Sequence, residues 1–307
     1  MTLERTLQQL ADESAPLTYS SLAQLSDLGS EEVERFTQVW QGLSLSRRTK
    51  VIARLVELAE ENAELDFNAV FKACLEDPDE EVRERAVNGL WEFEDRSIVP
   101  CFIQLLQSDD APRVRAAAAT GLGKFAKLAQ EGKLLQRDAD RIRDALLEVL
   151  QETREPWEVR RRALEAVAPF NSPRIKEYIR WAYASNNLEL QCSALFAMGR
   201  TGEPAWLGIL LKELRSPSPA LRYEAANALA ELQEEEAVPH LIHLLQDDDL
   251  QVALAAVRAL GEIGGPLARR ALRRCLQAEE EALQEAAREA LETMEAMEDP
   301  LSFRYGV

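Results

Sequence analysis

Two histidines, His240 and His243, and four cysteines, Cys74, Cys101, Cys192 and Cys275, are the side chains best suited to hold a metal or act as nucleophiles. A zinc site needs about four such ligands at short spacings, commonly including a C-x-x-C pair. Here the cysteines lie far apart without that pair, each among apolar residues in a helical stretch, so they read as small buried hydrophobes or idle thiols. No G-x-x-x-x-G-K-[ST], G-x-S-x-G or H-E-x-x-H occurs. Gly261, Gly264 and Gly265 end a helix and mark a turn rather than cradle a phosphate. Carboxylates are plentiful, yet none is visibly paired as an acid–base couple. The run Arg160-Arg161-Arg162 is flanked by Glu152, Glu155, Glu158 and Glu165, which makes a locally neutral, solvated helix face. The sequence therefore names no catalytic residue, no metal ligand and no cofactor, and a non-catalytic protein is expected.

The elements that carry these residues are helices. The chain has 307 residues, 46% hydrophobic and 29% charged, with only 13 Gly and 13 Pro. Rich in Ala, Leu, Glu and Arg, it favours helix over sheet. No apolar run approaches the roughly 18 residues that span a bilayer. Met1-Thr-Leu-Glu-Arg does not read as a signal peptide, so a cytoplasmic location and no membrane partner are expected. The net charge is −18 with a pI near 4.7. Acid gathers toward the C-terminal end, where residues 231–300 hold 17 acidic side chains against 6 arginines. Such a surface repels phosphate backbones, which argues against nucleic acid, and it attracts a basic partner.

An internal ladder decides the architecture. Val82, Val114, Val159, Leu190, Leu221, Val252 and Leu283 are each followed four residues later by an alanine: Ala86, Ala118, Ala163, Ala194, Ala225, Ala256 and Ala287. The spacings are 32, 45, 31, 31, 31 and 31. Positions 0, +4 and +8 fall along one helix stripe, and the alanine lets neighbouring helices approach closely. Between helices stand turns such as Ser216-Pro-Ser-Pro and Gln246-Asp-Asp-Asp, whose Asp and Ser can cap the next helix. Pro100 and Pro239 lie in the first turns of the upstream helices, where a missing N–H is harmless.

Two helices per roughly 31 residues, an early proline and an aspartate turn resemble the HEAT-repeat family, including its short bacterial version, the PBS-lyase HEAT-like repeat. The phrases AVPHLIHLLQDDDLQVALAAVRALGEIGG and SPSPALRYEAANALAELQEEEAVPHLI carry the resemblance. It implies an all-α right-handed superhelix of about eight helix pairs. Residues 66–294 form the array, with an insertion near 127–139. Val51, Leu55 and Ala59 extend the ladder back, making 31–62 a degenerate first repeat and 1–30 a helical cap. Residues 298–307 read as a flexible tail in which Phe303 and Tyr305 could dock as a short motif.

HEAT-like arrays also host chemistry. The di-iron deoxyhypusine hydroxylases take their ligands from His-Glu pairs, but Leu241 and Leu244 follow the two histidines here. The HEAT-like DNA glycosylases need a cationic groove, and this charge has the opposite sign. The resemblance therefore implies a scaffold or adaptor that holds a protein partner on the concave side. The alternative is a lyase- or chaperone-like accessory factor for a tetrapyrrole-bearing protein.

Positions +2 and +6 of the second helices point away from the core stripe. They are Glu84 and Asn88, Ala116 and Thr120, Arg161 and Glu165, Cys192 and Phe196, Tyr223 and Asn227, Leu254 and Arg258, and Glu285 and Glu289. Cys192, Phe196, Tyr223 and Leu254, bordered by Arg200 and Arg258 and with Asn227 among the contacts, make an apolar–aromatic strip with the composition of an interface hot spot. Glu285, Glu289 and Glu292 make an acidic surface beyond it. Trp91, Trp157, Trp181 and Trp206 fall near repeat junctions and are expected to pack in the core or at edges. Replacing a ladder alanine, Ala225→Leu or Ala256→Leu, should cost about 1–3 kcal/mol through overpacking, measured by chemical denaturation.

Overall fold

The computed structural model describes residues 2–298, which form two compact units divided between Ala166 and Val167. Among the described residues the secondary structure is helical, without strands. The first unit opens with α1 (Leu3–Ala11) and a single turn, α2 (Tyr19–Leu22). Helix pairs follow: α3 (Ser30–Gln41) with α4 (Leu45–Glu61), α5 (Asn68–Cys74) with α6 (Glu80–Gly89), α7 (Val99–Ser108) with α8 (Pro112–Gln130), and α9 (Gln136–Gln151) with α10 (Trp157–Val167). The second unit holds α11 (Pro173–Tyr183) with α12 (Leu188–Arg200), α13 (Leu207–Glu213) with α14 (Pro219–Leu232), α15 (Val238–Leu244) with α16 (Leu250–Ile263), and α17 (Gly265–Cys275) with α18 (Glu281–Glu298). These eight pairs agree with the all-α repeat fold expected from the ladder.

Local chemistry sets the helix boundaries. The Asp79 carboxylate accepts from the amides of Glu81 (3.0 Å) and Val82 (3.2 Å), satisfying donors that the first turn of α6 leaves open. Asp249 does the same for Gln251 and Val252 at the start of α16, and Asn187 for Leu190 in α12. Pro112, Pro173 and Pro219 open α8, α11 and α14. The 45-residue interval contains a long α8, a turn over residues 131–135 and a long α9. The expected tail falls outside the described residues except Glu298, which closes α18; Phe303 and Tyr305 lie among the undescribed ones.

The stripe at 0, +4 and +8 is buried in all seven repeats, from Val82, Ala86 and Leu90 to Leu283, Ala287 and Leu291. In α4, Val51 and Leu55 are buried but Ala59 is half-exposed; Leu58 takes the core place. A second ladder of small residues lies beside the first. A Cβ added to Gly199 would sit 2.7 Å from the Ala228 Cα, one on Gly261 2.8 Å from the Ala290 Cβ, and one on Gly123 3.2 Å from the Ala166 Cα. Glycine at +9 of one second helix thus lies against alanine at +7 of the next, and the backbones meet with no more than a methyl group between them.

The helix–helix turns are joined by a repeated clamp. Arg222 donates from Nη1 to the Ser216 carbonyl (2.9 Å) and from Nε and Nη2 to both oxygens of Asp247 (2.7 Å each). Arg83 binds the Asp77 carbonyl and both Asp109 oxygens, and Arg115 binds the Asp109 carbonyl and Glu155. Each arginine therefore ties its own turn to the next. In the α3–α4 pair Arg48 takes the role, reaching the Leu43 carbonyl and the buried Asp77, which also accepts from the Trp40 indole at 2.7 Å. Nearby, the buried Arg47 guanidinium closes the end of α1 by donating to the carbonyls of Gln9 and Leu10.

Three expectations are corrected. Trp206 is buried, but Trp91, Trp157 and Trp181 are exposed, because they stand at or beyond helix ends or off the apolar stripe. Cys74 and Cys275 are buried and Cys192 is half-buried, whereas Cys101 is exposed: Val99, Phe102 and Leu106 form the inward face of α7, and Cys101 lies off it. Ala116, placed outward by its position, is buried in the helix that packs along α6.

Two outcomes follow from this packing. Gly199→Val and Gly261→Val should each lower stability by about 1–3 kcal/mol in chemical denaturation, because the added carbons meet backbone that can yield only by shifting a helix. The Arg222 guanidinium holds the Asp247 carboxyl below its ordinary value. That stability is present above the unfolded value of about 4 and is lost as pH falls through the lower folded value. Asp247→Asn should therefore melt below wild type at pH 7, with the gap closing as pH drops below about 4; a gap constant with pH would contradict the clamp.

Candidate functional site

The second helices α12, α14, α16 and α18 bring Phe196, Arg200, Tyr223, Asn227, Leu254 and Arg258 onto two adjoining hollows, whereas Cys192, also expected in the strip, lines neither. Phe196, Arg200, Tyr223, Asn227 and Arg258, together with Glu224, Glu231 and Glu262, line one of about 360 Å³. Tyr223, Leu254, Arg258 and Glu262, with Glu289 and Thr293 from α18, line the other of about 350 Å³. Tyr223, Arg258 and Glu262 are common to both. Phe196 is 39% exposed, and Tyr223, Asn227 and Leu254 are half-buried.

The polar groups of the strip are partly preset. The Arg200 guanidinium lies 5.8 Å from the Phe196 ring centroid and 3.4 Å from a Glu231 oxygen. Arg258 is exposed and donates to the Asn227 side-chain oxygen. That amide carries no charge, and among the described residues Arg258 makes no ion pair. Its positive charge therefore remains available, while Arg200 is already balanced. Glu285, Glu289 and Glu292 are exposed on α18.

Elsewhere in the second unit one polar cluster has the composition of a catalytic group. The Tyr183 hydroxyl donates to Glu213 Oε1 (2.6 Å), and Lys212 Nζ donates to both the Tyr183 oxygen and Glu213 (3.0 Å each). Burial, then the bond to Glu213, pushes the Tyr183 phenol up. The bonds to Tyr183 and Glu213 push the Lys212 ammonium up as well. Burial raises the Glu213 carboxyl, but the two donors outweigh it and leave it lowered. Both potential bases are thus held protonated and the carboxylate charged, the pattern of a strut between α11 and α13 rather than of an acid–base couple. Burial likewise raises the Cys74 and Cys275 thiols, away from the reactive thiolate. Among the described residues no three His, Cys, Asp or Glu side chains are grouped to hold a metal, and no helix is long and apolar enough to cross a membrane.

The first unit contains a hollow that the strip reasoning did not find. It measures about 520 Å³ and lies among α4, α5, α6 and α8, with Trp91 and Glu92 at its edge. Its signal stands in the small-residue ladder. Nine positions after the first stripe residue the other repeats carry Gly123, Ala168, Gly199, Ala230, Gly261 and Glu292, whereas the repeat of Val82 carries Trp91.

Paired helices joined by capped turns, stacked through small residues and clamped by arginine, define an all-α repeat protein whose surfaces lie along successive second helices. A model of HEAT repeats matches residues 67–151 and 207–292, more than half of the chain, and the chain belongs to that family. No curated protein matches it significantly. Among solved structures, the complex of CpcE and CpcF of phycocyanin lyase from Nostoc sp. PCC7120 is similar at 19% identity and a TM-score of 0.53, covering 92% of this chain and 97% of that one. An engineered protein matches at 25% identity and TM-score 0.41, over 64% of this chain and 96% of its own. A designed armadillo repeat protein in complex with the peptide (KR)4 matches at 22% and 0.40, over 64% and 99%. The first of these likenesses shows the shared fold.

Proposed function

We propose that this HEAT-repeat chain is a binding scaffold or adaptor that holds a protein partner on the strip of α12, α14 and α16. Phe196, Tyr223 and Leu254 supply the apolar contact, and Arg200, Asn227 and Arg258 orient it. The observation that carries the reading is the continuity of the two hollows through Tyr223 and Arg258. Aromatic side chains beside an arginine without a carboxylate partner are the composition in which binding energy concentrates. The acid of α18, at Glu285, Glu289 and Glu292, adds attraction toward a partner with a basic surface and speeds encounter more than it tightens the complex.

The reading as an accessory factor for a tetrapyrrole-bearing protein rests on the shared fold and on no residue of the strip. A visible-absorbing ligand that co-purifies with the chain would bring it forward.

The test is affinity purification from native lysate with wild type and the triple variant Phe196→Ala/Tyr223→Ala/Arg258→Glu, its helicity confirmed by circular dichroism. The expected outcome is a partner recovered at fixed stoichiometry by wild type and lost by the variant. A partner retained equally by both would move the site off this strip.

A further inference from the structure

The hollow of the first unit shares no lining residue with the two hollows of the strip on α12, α14 and α16. It lies beside the second helix whose repeat carries Trp91 in place of a small residue in the ladder. α6, ten residues long, stops at Gly89, and Trp91 lies beyond its end with 56% of its surface exposed. An indole cannot enter the backbone contact that glycine makes at the same position in α8, α12 and α16.

The floor of the hollow is apolar and rigid. Phe67, Phe71 and Val87 are buried, and the two rings meet edge to face at 6.2 Å. The Phe71 ring lies where a side chain on Gly89 would be: a Cβ there would stand 2.6 Å from it. The wall is acidic. Glu60, Asp66 and Glu92 line it; Asp66 accepts the Asn68 amide at 2.8 Å, while Glu60 and Glu92 make no ion pair among the described residues. Two lysines on the helices that line the hollow, Lys124 of α8 and Lys72 of α5, are occupied. Lys124 donates to the Trp91 carbonyl at 2.7 Å, fixing the backbone that carries the indole, and lies 3.7 Å from Glu94; Lys72 stands 3.6 Å over the Phe93 ring. Among the described residues, no other ring or cation covers the Trp91 indole.

A rigid apolar floor, an uncovered indole and two uncompensated carboxylates share one complement: a cation carried on an apolar stem. We propose that this hollow docks a basic peptide segment, with an arginine or lysine stacked on Trp91 between Glu60 and Glu92 and an aliphatic neighbour on the floor of Phe67, Phe71 and Val87. An acidic or uncharged segment gains nothing from the wall, and a bare inorganic cation gains nothing from the floor.

The probe is the blocked peptide Gly-Leu-Arg-Leu-Arg-Gly, titrated calorimetrically into the full chain at about 0.15 M salt, where long-range attraction to the acidic surface is screened. Its counterpart with glutamate in place of arginine is the control. Saturable binding of the arginine peptide alone is expected. Trp91→Ala should weaken it roughly fivefold, within the range of a cation–aromatic contact, and Glu60→Gln/Glu92→Gln should weaken it further. Phe196→Ala/Tyr223→Ala should leave it unchanged, so that this site and the strip fail or succeed separately. Trp91 is exposed, and its removal leaves the helical spectrum and melting point as reporters of an intact fold. Binding unaltered by Trp91→Ala, binding that never saturates, or no binding of the arginine peptide would each overturn the proposal.

Discussion

Backbone-to-backbone contact between consecutive second helices is the constraint on which the rest of the molecule depends. Where Gly199 faces Ala228 and Gly261 faces Ala290, nothing larger than a methyl group separates the helices, so their spacing is set by peptide groups and alanine methyls. The aliphatic stripe can then fill the space beneath, and residues at +2 and +6 are lifted onto a common surface. A larger residue at the contact would change the separation, the core volume and the surface together, since packed interiors transmit a change of a single methylene.

The clamp works on the same geometry from the turn side. Arg222 satisfies a carbonyl of its own turn and a carboxylate of the next, and it lies largely under protein on both counts. A paired charge of this kind contributes modestly to net stability, but removing either partner strands the other, so its main effect is on register. Small-residue contacts fix how close neighbouring repeats lie, and the arginines fix which turn follows which.

Much of this was legible in the sequence. The stripe from Val82 to Leu291, the capping aspartates and the early prolines are local signals, repeated often enough to be read without a structure. Positions +2 and +6 followed from helix geometry, and the second unit gathers Phe196, Tyr223 and Leu254 along one pair of hollows. Other features depend on where helices stop and how they rotate. Trp157 and Trp181 were expected to pack in the core or at edges and are exposed, and Ala116 was expected outside and is covered. The Trp91 hollow was written as an aromatic residue in a ladder that is otherwise glycine and alanine up to Glu292 of the last repeat, visible only once the reason for small residues at that position is known.

The arginine clamps also bear on where such a chain can grow. From Arg115 the carboxylate it grips is Glu155, 40 residues on, against 26 from Arg83 to Asp109, yet the grip is kept. The extra residues lengthen α8 and α9 at the ends away from the clamped turns and meet in the turn around Gly132, where a Cβ would touch nothing. Length variation is thus channelled to one edge of the stack, while the other edge acts as a ruler. A reporter domain or a purification tag spliced in at residues 131–135 would be carried on the edge already adapted to additions, whereas the same splice in Asp247–Asp249 would pull a carboxylate from its arginine.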